Sequence, residues 1–220
     1  FDKYYLKTTF IGHPIFYINK IIPTKNNKKN IAFLLGSRLS EIDSLFPYFQ
    51  IGYKYLLNNM PNANIFIPTV PHLKEKLDNY VKDWKLNVVV SSNLIEIENF
   101  FNNTTHALVC SGTASLEIAK RNIPQLVIYK LNIFTELIAK LFIKIEFANI
   151  LNIIDNQMII PEITNSNLNK KIFLKGFDKL ISSSVNNKIQ IQEVNRKLNN
   201  IHGIKPPYVL ASERITSYLS

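Results

Sequence analysis

The sequence predicts an α/β fold, a parallel sheet with helices on both faces. Short apolar runs of strand length alternate with stretches whose apolar residues recur at helical spacing. The connections between them are short, which makes consecutive strands parallel and adjacent. Five such β–α steps are visible before residue 150.

The predicted strands are apolar runs of four or five residues, closed by Gly, Pro or polar residues. They cover residues 31–35, 64–67, 87–90, 106–110 and 125–129. Their carboxyl ends meet at one edge of a parallel sheet, which is where ligands bind in folds of this class.

The predicted helices follow these strands in order. They cover residues 42–57, 71–84, 94–101, 113–121 and 133–147. Beyond residue 165 the pattern is helical, with segments at 167–182, 186–200 and 208–219. We therefore expect one domain at 1–165, with the helices of 166–220 packing on the same domain.

Composition limits the partners and the chemistry. The chain has 220 residues, 46% of them apolar, and a net charge of +10. The positive charge favours anionic partners, although Ile, Asn and Lys are abundant throughout, as a genome-wide compositional bias would also produce. One cysteine excludes an internal disulfide, and the four histidines lack zinc-ligand spacing. No segment is long enough to cross a bilayer, no signal peptide is visible, and the first residue is Phe1, so we expect a piece of a longer or processed protein.

The segment from Ser111 to Glu117 is the most informative in the chain. It lies between a predicted strand and a predicted helix. A helix start has unpaired N–H groups that suit a phosphate, and Gly112 permits close approach of a ligand to the backbone. Glu117 lies about one turn into the helix, where its carboxylate could reach a sugar hydroxyl. An ordinary strand–helix turn with Thr113 near the N-cap remains the alternative.

A second turn of this kind, Gly36-Ser37-Arg38, follows the first strand, with Glu41 three residues later. A guanidinium at a helix start is electrostatically unfavourable unless an anion is nearby, and guanidinium binds phosphate in a bidentate way. The alternative is that Arg38 pairs with Glu41 or Asp43 at the surface. Both turns are at carboxyl ends of strands, so we expect them to face one crevice.

Three further features allow two interpretations each. His13 could donate to a ligand oxygen or be structural. Asn149 and Asn152 could read a base or sugar edge or could cap a turn. The apolar segment 133–147 is a core helix or, with Lys140 and Lys144, a membrane-surface helix.

Taken together, these motifs resemble those of the lipid-A-disaccharide synthases in their order. The motifs are Phe10-Ile11-Gly12-His13-Pro14, Gly36-Ser37-Arg38-x-x-Glu41, Ser111-Gly112-Thr113-Ala114-x-Leu116-Glu117, Pro124 to Lys130, Phe134-Thr135, Asn152 and Pro161-Glu162. The resemblance runs from about residue 8 to 165, more weakly to the end, and covers only the carboxyl-terminal half of that enzyme.

The resemblance implies the carboxyl-terminal half of a GT-B glycosyltransferase, with residues 1–165 as a nucleotide-sugar-binding, Rossmann-like domain. It implies transfer of a diacylated glucosamine from UDP to diacylglucosamine 1-phosphate, with inversion and without a metal or other cofactor. In the nucleotide site that it implies, Ser37 and Arg38, with Glu41, hold the pyrophosphate. Ser111, Gly112 and Thr113 donate to it, Glu117 takes the ribose hydroxyls, and Asn152 lies near the nucleotide or donor sugar.

The same resemblance implies that the chain lacks the amino-terminal half of the enzyme. In the family, the amino-terminal half carries the acceptor site and the presumed catalytic base, so we expect the chain to need that half in cis or in trans. Expected partners are UDP-diacylglucosamine, the lipid acceptor and a membrane surface contacted through 133–147, with no nucleic acid. We expect a cytoplasmic protein, peripheral at most on the cytoplasmic face of the bacterial inner membrane.

Other function classes are alternatives to this glycosyltransferase. A different GT-B or UDP-sugar epimerase domain would share the nucleotide site. A nucleic-acid-binding module would need a recognition motif or an aromatic–basic stripe, and neither is present. A non-catalytic fragment that binds UDP or docks on membranes would use the same segments. No paired carboxylates, Ser–His–Asp motif or P-loop indicate a hydrolase or an NTPase.

Overall fold

The computed structural model describes residues 8, 9, 11, 29–110, 112–130, 147–164, 167–201 and 205–219. The strands are β1 Asn30–Leu34, β2 Asn64–Pro68, β3 Asn87–Ser91, β4 His106–Cys110, β5 Gln125–Tyr129 and β6 Glu162–Thr164. The helices of these ranges are α1 Leu39–Asn59, α2 Pro71–Val81, α3 Leu94–Phe101, α4 Thr113–Lys120, α5 Ile150–Asp155, α6 Lys170–Ser182, α7 Ser184–Ile201 and α8 Pro207–Leu219.

The described strands form one parallel sheet in the order β3-β2-β1-β4-β5-β6. The chain moves outward from β1 through β2 to β3, and then crosses back to β4 and moves outward on the other side. The strand order therefore reverses between β1 and β4. In open parallel sheets, the carboxyl edge at such a reversal is the position of the ligand crevice.

Both faces of the sheet are buried, as predicted. Along β1, the side chains of Ile31 and Phe33 pack on one face, and those of Ala32 and Leu34 pack on the other. Helices α1, α2 and α6 cover the first face, and α3, α4, α5 and α7 cover the second. Because strand side chains alternate, a strand covered on both sides is apolar throughout, and β1 and β4 are fully buried.

An aromatic cluster joins α1, α6 and the sheet. The Phe33 ring lies 5.3 Å from that of Phe49 and 6.3 Å from that of Phe177, both edge-on. A Cβ at Gly52 would lie 3.4 Å from the Phe33 and Phe177 rings. The glycine thus lets α1 pack closely on this cluster, and α6 from the carboxyl-terminal part of the chain closes the core.

The structure adds two elements that the periodicity did not predict, α5 and β6. It also ends α2 at Val81, three residues before the predicted end at Trp84. The predicted helix at 133–147 lies outside the described residues except for its last position. Among the described helices, none has the length and apolarity needed to cross a bilayer.

Candidate functional site

Two loops lie at the carboxyl edge of the sheet, where the crevice is expected, and the first of them connects β1 to α1. Gly36 adopts a φ of +97°, which L side chains rarely adopt, and the backbone then turns outward so that Ser37 and Arg38 are exposed. Arg38 is the N-cap residue of α1 and its carbonyl accepts the N–H groups of Glu41 and Ile42 at 3.1 Å each. The loop therefore places a guanidinium beside the amino terminus of a 21-residue helix.

The Arg38 side chain pairs with Glu41. Its Nη1 donates to Glu41 Oε1 at 2.8 Å, and 77% of the Arg38 side chain is exposed. The hydrogen bond and charge of Glu41 raise the pKa of Arg38. Asp43, the other partner considered from the sequence, instead accepts from Lys76 and from Tyr80. An exposed ion pair of this kind contributes little to stability. An anion could therefore replace Glu41 at the Arg38 guanidinium at a small cost in free energy.

The second loop of the crevice connects β4 to α4. Gly112 has a φ of +145° and is the N-cap residue of α4 without a side-chain cap. A Cβ built on Gly112 would have no described atom within 4 Å, and Thr113 is exposed. The start of α4 thus has no side-chain cap and has free space beside Gly112 among the described residues, as a phosphate site requires. Ser111 lies outside the described residues, and its predicted role stays a prediction.

The two loops lie side by side, which confirms that they share one edge of the sheet. Leu34 of β1 pairs in register with Val109 of β4. Cys110 Sγ lies 3.5 Å from the Cβ position of Gly36. Burial, followed by the charge of Glu41, raises the pKa of Cys110 to about 12, so the thiol is neutral and forms part of the floor.

Glu117 of α4 is held by an arginine that the sequence analysis missed. Its Oε1 accepts from Arg121 Nη2 at 2.9 Å, and 31% of the side chain is exposed. Arg121 also pairs with Glu98 of α3 and lies over the Phe101 ring. No local motif marks Arg121, because Glu98 comes from another helix.

Asn152 is fully buried and bound to its own segment. Its Oδ1 accepts from the N–H groups of Ile159 and Ile160 at 2.8 and 2.9 Å, and its Nδ2 donates to Ile160 O at 2.7 Å. This arrangement closes the loop after α5. The turn-capping alternative for Asn152 is thus the one that the structure shows, and its place near the nucleotide or donor sugar stays a prediction.

Asn149 belongs to a buried polar network that fixes the first turn of α4. Its Oδ1 accepts from the N–H of Leu151, and its Nδ2 donates to Ser115 Oγ at 2.5 Å. Ser115 in turn donates to Gln125 Oε1 at 2.9 Å. The Glu162 carboxylate accepts the Asn149 N–H at 2.7 Å. The capping alternative for Asn149 is thus the one that the structure shows.

Some predicted features fall on residues outside the described ranges. These are His13 with its motif 10–14, except residue 11, and the features at Phe134-Thr135, Lys140 and Lys144. In the described parts, no group of three His, Cys, Asp or Glu side chains is arranged around a common point where an ion could sit. A cavity of about 670 Å³ opens at the opposite edge of the sheet, beside Asn64 and Asn87 at the amino ends of the strands.

The profile of the lipid-A-disaccharide synthetase family matches residues 1–212. The chain belongs to this family. It is 30% identical to the lipid-A-disaccharide synthase of Rickettsia bellii, over 100% of this chain and 58% of that protein. The synthase of Rickettsia canadensis is also 30% identical, over 96% of the chain and 57% of that protein.

The chain thus spans a little over half the length of the curated lipid-A-disaccharide synthases that it matches. Among solved structures, it resembles WaaG, a glycosyltransferase involved in lipopolysaccharide biosynthesis. The TM-score is 0.56 at 12% identity, over 84% of this chain and 47% of that one. Such a likeness shows the fold, the Rossmann-like half of a GT-B glycosyltransferase, and confirms the predicted fold class.

Proposed function

We propose that the chain is the UDP-sugar-binding part of a lipid-A-disaccharide synthase. The observation that carries the proposal is the joint position of Arg38 and the open amino terminus of α4. Both lie at the carboxyl edge of the sheet where the strand order reverses between β1 and β4. A diphosphate placed there would meet a guanidinium together with the uncapped start of a helix.

In this proposal the residues have separate roles. Ser37 and Arg38 hold the pyrophosphate, with Glu41 setting the position of the guanidinium. Ser111, Gly112 and Thr113 donate to the phosphate oxygens from the start of α4. Glu117 accepts from the ribose hydroxyls, and Asn152 supports the segment beside the nucleotide. The site belongs to a domain spanning 1–165, on which the helices of 166–220 pack.

The proposed reaction transfers 2,3-diacylglucosamine from UDP to 2,3-diacylglucosamine 1-phosphate. The bond from the anomeric carbon to the UDP oxygen breaks, and a bond to the acceptor hydroxyl forms, giving lipid A disaccharide 1-phosphate and UDP. Negative charge grows on the departing UDP, and fixed donors stabilise that charge in the transition state. This chain supplies those donors, whereas the base and the acceptor site come from an amino-terminal half in cis or in trans.

The substrates are lipids, so we also propose that the enzyme works at the cytoplasmic face of the inner membrane. The segment 133–147 is the proposed contact, because it combines apolar residues with Lys140 and Lys144. Vesicle sedimentation with an L141E/F142E variant tests this part separately, since loss of binding supports the contact and unchanged binding contradicts it.

Calorimetric titration with UDP tests the nucleotide site. We expect saturable binding, weakened at least about tenfold by Arg38→Ala, because one charge-assisted contact is lost. Arg196→Ala is the matched control, since Arg196 is also exposed and also pairs with a glutamate three residues away, at 2.7 Å. Absence of UDP binding at millimolar concentration, or equal effects of the two substitutions, would contradict the proposal.

A further inference from the structure

Arg121 is a buried cation whose position is fixed by its partners. Only 1% of its side chain is exposed. Its two terminal nitrogens donate to both oxygens of Glu98, at 2.5 and 3.0 Å, and its guanidinium carbon lies 4.8 Å from the Phe101 ring centre. A cation without access to water depends on such partners, so the guanidinium has one orientation.

The two carboxylates around Arg121 are used differently. Glu98 receives both arms of the guanidinium fork, although 52% of its side chain is exposed. Glu117 receives one bond, to Oε1, and 31% of its side chain is exposed. A carboxylate has about four acceptor positions, so a single bond from Arg121 leaves Glu117 with the capacity to accept further donors.

We propose that Arg121 is a positioning residue for ribose recognition. It holds the Glu117 carboxylate in one orientation, with its remaining acceptor positions available to the two hydroxyl groups of a ribose. This inference rests on the proposed function, in which UDP occupies the start of α4. Discrimination between ribose and 2′-deoxyribose then depends on Arg121, although its buried side chain cannot contact the nucleotide.

The rigidity of Arg121 is the reason for this effect. Without the guanidinium, the Glu117 side chain can choose among several rotamers in water, and ligand binding must then restrict it. Because Glu98 and Glu117 are both partly exposed, replacing Arg121 leaves neither carboxylate buried without a partner. The variant Arg121→Met is therefore suited to test binding in a folded protein.

The test compares UDP with 2′-deoxy-UDP by calorimetry, using the 220-residue chain. We expect the wild type to bind UDP about tenfold more tightly, because one hydroxyl hydrogen bond to a charged group distinguishes the ligands. In Arg121→Met the ratio of the affinity for UDP to that for 2′-deoxy-UDP should fall toward one, while the affinity for inorganic pyrophosphate stays unchanged. Arg121→Lys should recover part of the ratio, since an ammonium can hold one Glu117 oxygen.

Two controls separate this role from general destabilisation. Arg196→Met, at an exposed arginine, should keep the wild-type ratio. Pyrophosphate binding and the melting temperature report whether Arg121→Met is folded. If Arg121→Met does not fold, Arg121→Lys serves as the test variant, and its preference for UDP over 2′-deoxy-UDP should be smaller than that of the wild type.

The outcomes distinguish this inference from the proposed function. A wild type that does not bind UDP contradicts the proposed function itself. A wild type that binds UDP and prefers it, together with folded Arg121 variants that keep that preference, overturns the role of Arg121 alone. A wild type that binds both nucleotides equally also overturns it, since there is then no ribose recognition to position.

Discussion

His106 Nε2 lies 3.2 Å from Asn187 Nδ2, in a contact that joins β4 to α7. Asn187 also donates to Leu180 O at 2.8 Å, and Thr105 Oγ1 lies 2.9 Å from His106 Nδ1. A neutral imidazole can accept at Nε2 and donate at Nδ1, whereas a protonated ring has two donors and would face the Asn187 amide with the wrong polarity. Burial, with a smaller effect of the Lys29 charge, lowers the pKa of His106 to about 3.

The free energy of unfolding should therefore fall when the solution becomes acidic. The unfolded chain takes up a proton on His106 near pH 6.5, and the folded protein does so only near pH 3. The stabilisation is complete above about pH 6.5 and decreases below it, by up to about 1.4 kcal/mol per pH unit. Urea unfolding at pH 7 and pH 5 measures this loss. In His106→Gln the loss of stability between pH 7 and pH 5 should be smaller, because this histidine no longer takes up a proton. The carboxylates are the same in both proteins, so an equal loss would contradict the role of His106.

The two glycines of the crevice should respond differently to alanine. Both have positive φ, so each substitution strains the backbone by about 1–3 kcal/mol. At Gly112 the new methyl group meets open space, but at Gly36 it would lie 2.9 Å from Glu41 Oε2. Gly36→Ala should therefore lower the melting temperature more than Gly112→Ala does. Equal shifts would contradict this prediction, because the contact with the end of the Glu41 side chain would then add nothing to the backbone strain.

Two N-cap asparagines offer a buried and an exposed version of one substitution. Asn169 accepts from Ile172 N at 3.0 Å at the exposed start of α6, and Asn169→Ala should cost about 1 kcal/mol. Asn149 caps α5 and also donates to Ser115 within the buried network. Asn149→Ala should cost about 2–3 kcal/mol, because it leaves buried polar groups without partners. Chemical unfolding measures both, and a cost at Asn149 no larger than at Asn169 would argue against the network.

The Cys110 thiol should be unreactive in the folded protein. It is buried, and its pKa is raised to about 12, so the nucleophilic thiolate is scarce at pH 8. The chain has one cysteine, so a colorimetric thiol reagent reports on this site alone. We expect a slow reaction in buffer and complete reaction in guanidinium chloride. Rapid reaction under native conditions would indicate that the floor of the crevice opens.

The strands at and beside the reversal point were well predicted from the sequence. Two of them, β4 and β5, have the predicted bounds, and β1 is displaced by one residue. Strands covered on both faces are apolar along their whole length, so their signal does not depend on their neighbours. The turns at Gly36 and Gly112 could be predicted too, because each of them begins where one of these strands ends.

The features that were missed depend on contacts between distant segments. The strand β6 has three residues and begins with Glu162, whose carboxylate accepts the backbone N–H groups of Ala148 and Asn149. A short strand that begins with a charged residue gives no periodic signal. Arg121 has an ordinary i,i+4 relation to Glu117, and only the packing of α3 on α4 makes it a buried cation between two carboxylates.

The position of β1 has a consequence for synthesis of the chain. One edge of β1 pairs with β2, and the other pairs with β4, which follows it by roughly 70 residues. At about 5–20 residues per second, a ribosome exposes the open edge of this strand, apolar from Ile31 to Leu34, for several seconds before β4 emerges. Until then the nascent chain presents an unpaired strand that other chains can join. Chaperone dependence during translation should therefore be greatest between the appearance of β2 and that of β4.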